Sequence, residues 1–326
     1  MKRILLTTTS LVLAAGFASA DVSFSGTAGV ALIDDNGASV AKAAVVGVVG
    51  TTTVAAVAPQ AAVLASTRED MFFESYYDLD ITATAETDNG ISVKLGLDIG
   101  SGGKIDYDDD DKLEVQSAAP GDADVAVSYN GWTVAVDQDG IDNLFDDSQS
   151  EDVSLSGAVM GWTVALTSDQ ENSTSSYKLG GTVGGVSVTL TGTDNDDNGG
   201  DASKVALSYA AGALTLSASV EDESKADGSE DDSTVGIKYA INDALTFSYT
   251  SIKPGSRAGD DFGDEWDAKV SYSAAGVSAS FAVDEADATT VIAEYTLGGG
   301  ATAFAAMHDK AGTASDLTAI GLTFAF

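Results

Sequence analysis

Residues 203–220 read Ser203-Lys-Val-Ala-Leu-Ser-Tyr209-Ala-Ala-Gly212-Ala-Leu-Thr-Leu-Ser-Ala-Ser-Val220, and this stretch decides the fold. Its second half puts Leu214, Leu216, Ala218 and Val220 on one parity and Thr215, Ser217 and Ser219 on the other. A period of two gives a strand with two unlike faces. Ala211-Gly212 between the halves is a turn signal. The stretch therefore reads as a β-hairpin whose first strand ends on Tyr209.

The same unit recurs along the chain. Trp162, Val164 and Leu166 alternate with Thr163, Ala165 and Thr167; Val186, Val188 and Leu190 alternate with Ser187, Thr189 and Thr191; Val277, Ala279, Phe281 and Val283 alternate with Ser278, Ser280 and Ala282. Connections alternate in kind. Short ones fall at Asn130-Gly131, Met160-Gly161, Gly184-Gly185, Asn242-Asp243, Ala275-Gly276 and Gly298 to Gly300. Long acidic ones fall at Asp137 to Asp152, Asp169 to Ser175, Asp194 to Asp201, Glu221 to Asp232, Lys253 to Glu265 and Asp309 to Ser315. Strands joined in this way form an up-and-down antiparallel meander with a short-turn rim and a long-loop rim. Placing strands one by one predicts 18, an even number that permits closure.

Composition narrows the class. The 326 residues carry 51 Asp and Glu against 15 Lys and Arg, a net charge of −36, with no Cys and one His. Nucleic acid is excluded as a partner, because phosphate binding needs a basic footprint. Thiol chemistry and Cys-ligated metals are absent, and one His leaves little room for acid–base catalysis. Yet 44% of the chain is hydrophobic, far too much for an acidic disordered polymer. Within strands the polar face is Thr, Ser, Gly and Ala, whereas a soluble sandwich would turn Lys, Glu and Arg to bulk water there.

The N-terminus predicts export. Met1-Lys2-Arg3 is a positive n-region, Ile4 to Phe17 is largely apolar, and Ala18-Ser19-Ala20 fits a small-residue cleavage site. Residues 1–20 read as a cleaved signal peptide and 21–326 as the barrel domain; losing Lys2 and Arg3 takes the charge to −38.

Aromatic residues support a membrane barrel. Tyr129, Tyr209, Tyr239, Tyr272 and Tyr295 end strands that run into short turns, and Trp132 and Trp162 open strands that leave them. Rings with one apolar and one wet end collect at a membrane interface. Phe72, Phe73, Tyr76, Tyr77, Phe247, Tyr249, Phe262 and Trp266 are assigned to a looser girdle at the long-loop rim.

The last segment alternates Ile320, Leu322, Phe324 and Phe326 with Ala319, Gly321, Thr323 and Ala325. This strand, with Phe324 and Phe326, resembles the C-terminal assembly signal of Gram-negative outer-membrane barrels. The stretch from Tyr295 through Gly298-Gly-Gly-Ala-Thr to Leu322-Thr-Phe-Ala-Phe326, and Asp21-Val-Ser-Phe-Ser-Gly-Thr-Ala-Gly-Val30, resemble the two ends of Rhodobacter-type alphaproteobacterial porins. The resemblance implies a trimeric, water-filled general porin in outer-membrane lipid and lipopolysaccharide, inserted by the barrel-assembly machinery, with 16 strands. It also implies a third external loop that folds inward. Here that segment is Asp137 to Asp152, with Asp137, Asp139, Asp142, Asp146 and Asp147 as acidic constriction residues and Leu144 and Phe145 docking the loop. The segment lacks the Pro-Glu-Phe-Gly-Gly stretch of enteric porins, and the wall offers scattered Lys in place of an Arg cluster.

If the apolar parity meets lipid, Asp78, Asp80, Lys94, Asp98, Lys178, Lys204, Lys238, Asp267, Lys269 and Glu294 line the lumen. Carboxylates in a pore favour cations, so the expected function is passive, cation-preferring diffusion of small hydrophilic solutes and ions. The alternative is an acidic barrel with a structural or adhesive role and no open channel. Catalysis is not expected: His308 is the sole His, and its position reads as lipid-facing. No cofactor is required. Asp194, Asp196 and Asn198 match half of a calcium loop but lack its twelfth-position Glu, so loosely bound Ca2+ or Mg2+ is the most these acidic loops predict. Ala43 to Ala65 carries no charge and no sustained alternation and is assigned to an atypical first external loop at about 34–70.

Overall fold

Five of the tight connections are two-residue turns with both residues at positive φ: Asn130-Gly131, Met160-Gly161, Gly184-Gly185, Ala275-Gly276 and Gly299-Gly300. This backbone twist matches that of antiparallel strands, and glycine at the second position adopts it without steric cost. The local turn chemistry thus fixes where each hairpin closes.

The computed structural model describes residues 17–34, 71–106, 114–117, 123–145, 149–169, 172–195, 201–223, 232–253, 264–309 and 316–326. Its strands are β1 (Phe17–Asp34), β2 (Phe72–Thr87), β3 (Ser92–Asp106), β4 (Glu114–Ser117), β5 (Ala123–Tyr129), β6 (Trp132–Asp142), β7 (Ser150–Val159), β8 (Trp162–Asp169), β9 (Thr174–Val183) and β10 (Val186–Asn195). They continue as β11 (Ala202–Ala211), β12 (Leu214–Glu223), β13 (Asp232–Ala240), β14 (Leu245–Lys253), β15 (Glu265–Ala274), β16 (Val277–Asp284), β17 (Thr289–Gly298), β18 (Ala301–Asp309) and β19 (Leu317–Ala325).

Each strand pairs antiparallel with its chain neighbours, except that β3 pairs β5 directly and β1 closes the ring on β19. β4 pairs only with the last residues of β3 and extends that strand beyond the ring. The barrel therefore has 18 wall strands. This agrees with the count from periodicity and corrects the 16 implied by resemblance: every predicted strand has its own turn and its own place in the ladder.

Register shows the tilt that closure requires. One cross-strand row runs Asp21, Thr84, Lys94, Ala126, Ala135, Ser154, Thr167, Ser176 and Thr193. It starts beside the short turns and ends near the long loops.

The outer surface is the apolar parity. Ile320 is 60% exposed and Phe326 62%, and Leu207, Ile237, Val270 and Phe281 are likewise open. In water such a belt would be an aggregation surface; against hydrocarbon it is the favourable face. The buried apolar core is small and lies on the opposite face: Ala31, Ile33, Ile292, Phe304, Ala306 and Ala319, with Phe72 and Leu317 packed against it.

Candidate functional site

Residues opposite each other in an antiparallel ladder share a face, so the register tests the lumen assignment. Asp78 pairs Thr27 and Gly100, Asp80 pairs Ser25 and Asp98, and Lys94 pairs Thr84 and Ala126. Lys178 and Lys204 both flank Thr191, while Lys238 and Lys269 both flank Ser248. Asp267 pairs Thr250, and Glu294 accepts the Ser278 hydroxyl at 2.7 Å. The cross-strand row described above links the face of Lys94 to that of Thr193 and Thr191. All ten residues therefore sit on the inner parity.

Their distribution around the ring is uneven. Asp78, Asp80 and Asp98 lie on adjacent β2 and β3, and the Asp124 carboxylate of β5 fills the space a side chain on Gly96 would need. Four carboxylates thus share one wall segment, with Asp80 and Asp98 directly opposed. Asp124 is the member that periodicity missed, since it opens its strand beside a charged loop. Half a circuit away lie β11, β13 and β15 with Lys204, Lys238 and Lys269; β13 is the ninth strand from β3. Lys204 is tied to Glu221 at 3.1 Å.

The long-loop end of β6 and β7 departs from a plain hairpin. Val136 opposes Val153, and Ile141 opposes Glu151, so β6 carries a bulge of three extra residues. The Asp137 side chain folds against Gly140 within it. Asp137, Asp139 and Asp142 are consequently strand residues, and the connection itself is only residues 143–149. Asp142 is exposed; the Asp139 side chain and all of Asp146 and Asp147 lie outside the described residues.

Asn143 opens that connection and Glu151 lies just after it on β7; both are buried, at 3% and 0% exposure. The Asn143 amide donates to Glu151 Oε1 at 2.6 Å and to Thr193 Oγ1 on β10 at 3.1 Å. The Thr174 hydroxyl donates to Glu151 Oε2 at 3.2 Å, and the Leu144 N–H donates to Ser176 Oγ at 2.7 Å. Leu144 and Phe145 are half-buried beside this network. The hairpin end thus leans over the inner faces of β8 to β10.

The aromatic assignments divide. Tyr129, Tyr209, Tyr239, Tyr272 and Tyr295 are 43–52% exposed on the outer face at the short-turn rim. Trp132 and Trp162 lie half-buried there, their rings over Gly157 and Gly181. Phe247 belongs to this rim too, because it pairs Tyr239; its assignment to the far rim is corrected. Phe72 and Tyr76 point inward, Tyr76 covering Gly29, so only Phe73, Tyr77, Tyr249 and Trp266 remain for the long-loop belt. Tyr249 and Trp266 stack with centroids 6.2 Å apart. Phe262 lies outside the described residues.

His308 is also corrected: it points inward, 7% exposed, with Nδ1 2.8 Å from Thr290 Oγ1. Asp194 is exposed, Asp196 and Asn198 lie outside the described residues, and among the described residues no group of three acidic or His side chains could hold a metal ion. Residues 1–16 and 35–70, which include most of the predicted leader and the Ala/Val-rich segment, also lie outside them. Phe324 and Phe326 face outward, and Phe326 exchanges both backbone hydrogen bonds with Gly26 at 3.1 Å.

Comparison with known proteins agrees with this architecture. A triple mutant of the Rhodopseudomonas blastica porin superposes with a TM-score of 0.54 at 18% identity, covering 94% of this chain and 100% of that one. A five-substitution variant of the same porin gives 0.53 at 18%, and an engineered protein described for asymmetric conductivity gives 0.54 at 19%, both with the same coverage. At such identities the likeness speaks for the fold alone. No curated protein sequence matches the chain. A model of Gram-negative porins, however, matches residues 7–322, and with so nearly complete a match the chain belongs to the Gram-negative porin family.

Proposed function

We propose that this outer-membrane porin conducts small hydrophilic solutes and ions passively and prefers cations. The observation that carries the reading is the group of four carboxylates, Asp78, Asp80, Asp98 and Asp124, on the inner faces of three adjacent strands of a closed barrel. Four carboxylates with Lys94 beside them leave this wall predominantly negative, and such a wall, bounded by low-dielectric protein, concentrates counter-ions and raises their entry rate. Lysines on the opposite half of the ring would leave a transverse field across the path. The inward-leaning β6–β7 end narrows the lumen on the β8–β10 side, with Asp137 and Asp142 at its base.

Export by a leader cleaved before Asp21 fits the barrel. β1 would then begin at Asp21, already paired with Thr84, and lose only the pairs up to Ala20 and Ala85. A homotrimer in lipid and lipopolysaccharide, assembled by the barrel-assembly machinery, is the family-level expectation. Loose Ca2+ or Mg2+ in the acidic loops would relieve carboxylate repulsion without forming a fixed site.

Planar-bilayer recording of the refolded chain tests the reading. The expected result is stepwise conductance in groups of three and a reversal potential of cationic sign in a KCl gradient. Anion preference at moderate salt would overturn the selectivity. The buried apolar patch of Ile33, Ile292 and Phe304 on the inner face favours the other reading, a structural or adhesive barrel. A folded, heat-modifiable but electrically silent protein would select that one.

A further inference from the structure

We propose that Asn143 and Glu151 are positioning residues, forming a polar latch that seats the β6–β7 hairpin on the inner wall and thereby sets the width of the aperture. The inference rests on the channel reading above and names the residues that fix its narrow part. β6 and β10 are four strands apart, about 19 Å at the usual interstrand spacing of roughly 4.8 Å. An Asn side chain just beyond β6 cannot span that along the wall. Its 3.1 Å contact with Thr193 on β10 requires the hairpin end to cut inward over β7, β8 and β9.

The hydrogen-bond inventory shows how tightly the seat is specified. One Asn143 amide hydrogen goes to Glu151 and the other to Thr193, while Oδ1 accepts the Phe145 N–H at 2.9 Å. The Thr193 hydroxyl donates onward to the Ser175 carbonyl at 3.3 Å. It is therefore held ready to accept from Asn143. Glu151 spans the other side, taking Asn143 on Oε1 and Thr174 of β9 on Oε2. A fully buried carboxylate held by neutral donors is a poor source of stability. Its use lies in geometry, because a carboxylate accepts from two directions at once and ties the loop to two places on the wall. The Leu144 N–H to Ser176, itself 2.5 Å from the Thr167 hydroxyl, adds a third anchor.

The test uses the full refolded chain in planar bilayers, with heat-modifiable migration as the control for a folded barrel. Asn143→Ala and Glu151→Ala should each raise single-channel conductance about two-fold, increase open-channel noise and admit a larger polyethylene glycol. Glu151→Gln keeps an acceptor for Asn143 and should conduct like the parent. Thr193→Val on top of Asn143→Ala should add nothing further, since both break the same contact. A role confined to stability would lower the unfolding temperature and leave conductance per channel unchanged, and that result overturns the proposal. The chain has no Cys, so Asn143→Cys with Thr193→Cys, joined by a short bis-methanethiosulfonate crosslinker that loses one methanesulfinate as each thiol forms its disulfide and is cleaved again by dithiothreitol, gives a reversible lock that does not depend on the alanine variants folding. Conductance should be parental when joined and higher after release; no difference between the two states also overturns the latch. A silent parent protein would instead defeat the channel reading itself.

Discussion

The ring of Trp162 on β8 lies over Gly181 of neighbouring β9. A methyl group built on Gly181 would come 2.4 Å from Trp162 Cδ2, and Trp132 stands in the same relation to Gly157. Both tryptophans open a strand in the sequence Gly-Trp-Thr-Val, at 131–134 and 161–164. The missing side chain lets the indole lie flat on the sheet with its edge toward the membrane interface, where amphipathic rings are favoured. Gly181→Ala and Gly157→Ala should each destabilise the barrel by about 1–3 kcal/mol, the usual cost of overpacking a filled site. Urea unfolding in lipid vesicles measures this; an unchanged midpoint would show that the ring swings aside freely.

Leu207 and Ala206 are chain neighbours on opposite faces: Leu207 is 44% exposed on the outer surface, and Ala206 is on the inner parity beside Ser219. Leu207→Arg should cost about 2–4 kcal/mol of folding free energy in lipid if it lies near mid-depth, whereas Ala206→Arg should cost far less because the lumen solvates it. Equal losses for both would contradict the orientation of the barrel.

Most of the wall was legible because its signals are local. Period-two alternation and glycine at turn positions each act within one hairpin, so 18 strands could be counted without tertiary information, while the figure of 16 came from resemblance alone. Legibility failed where the two faces lose contrast. Ala301 to Asp309 has small or apolar residues on both parities, and the inner one holds Phe304, Ala306 and His308; hydropathy therefore assigned His308 to the wrong side. Phe247 was misplaced because its height depends on the four-residue turn before β14, which the sequence does not define sharply. The Asn143–Thr193 contact joins a residue just beyond β6 to one on β10, 50 positions away. No spacing rule reports such a contact.

The opposed pair Asp80 and Asp98, with Asp124 beside them, gives the selectivity reading a direct test. Asp80→Asn, Asp98→Asn and Asp124→Asn combined removes three charges without changing side-chain size. Cation preference should fall toward neutrality, and the difference from the parent should shrink as salt rises from about 0.1 M to about 1 M, because the screening length falls from roughly 10 Å to 3 Å. Conductance itself should change little. Undiminished cation preference in the triple variant would shift the selectivity to the acidic loops at the mouth.

Closure of the ring ends at Gly26 and Phe326, which exchange two backbone hydrogen bonds at 3.1 Å. Beyond them, among the described residues, β1 pairs with β2 alone. Removing Phe326 would leave the Gly26 N–H and C=O open at the seam, at about 0.5–1.5 kcal/mol per lost hydrogen bond, and would also remove a ring that is 62% exposed on the outer face. Phe326→Ala keeps both backbone bonds and loses only the ring. If closure is chiefly a backbone event, deletion should lower the folded fraction in vesicles more than Phe326→Ala does, with both separated from the parent on heat-modifiable gels. If the ring itself drives insertion into lipid, the alanine variant should fold as slowly as the deletion, and refolding rates followed by tryptophan fluorescence distinguish the two.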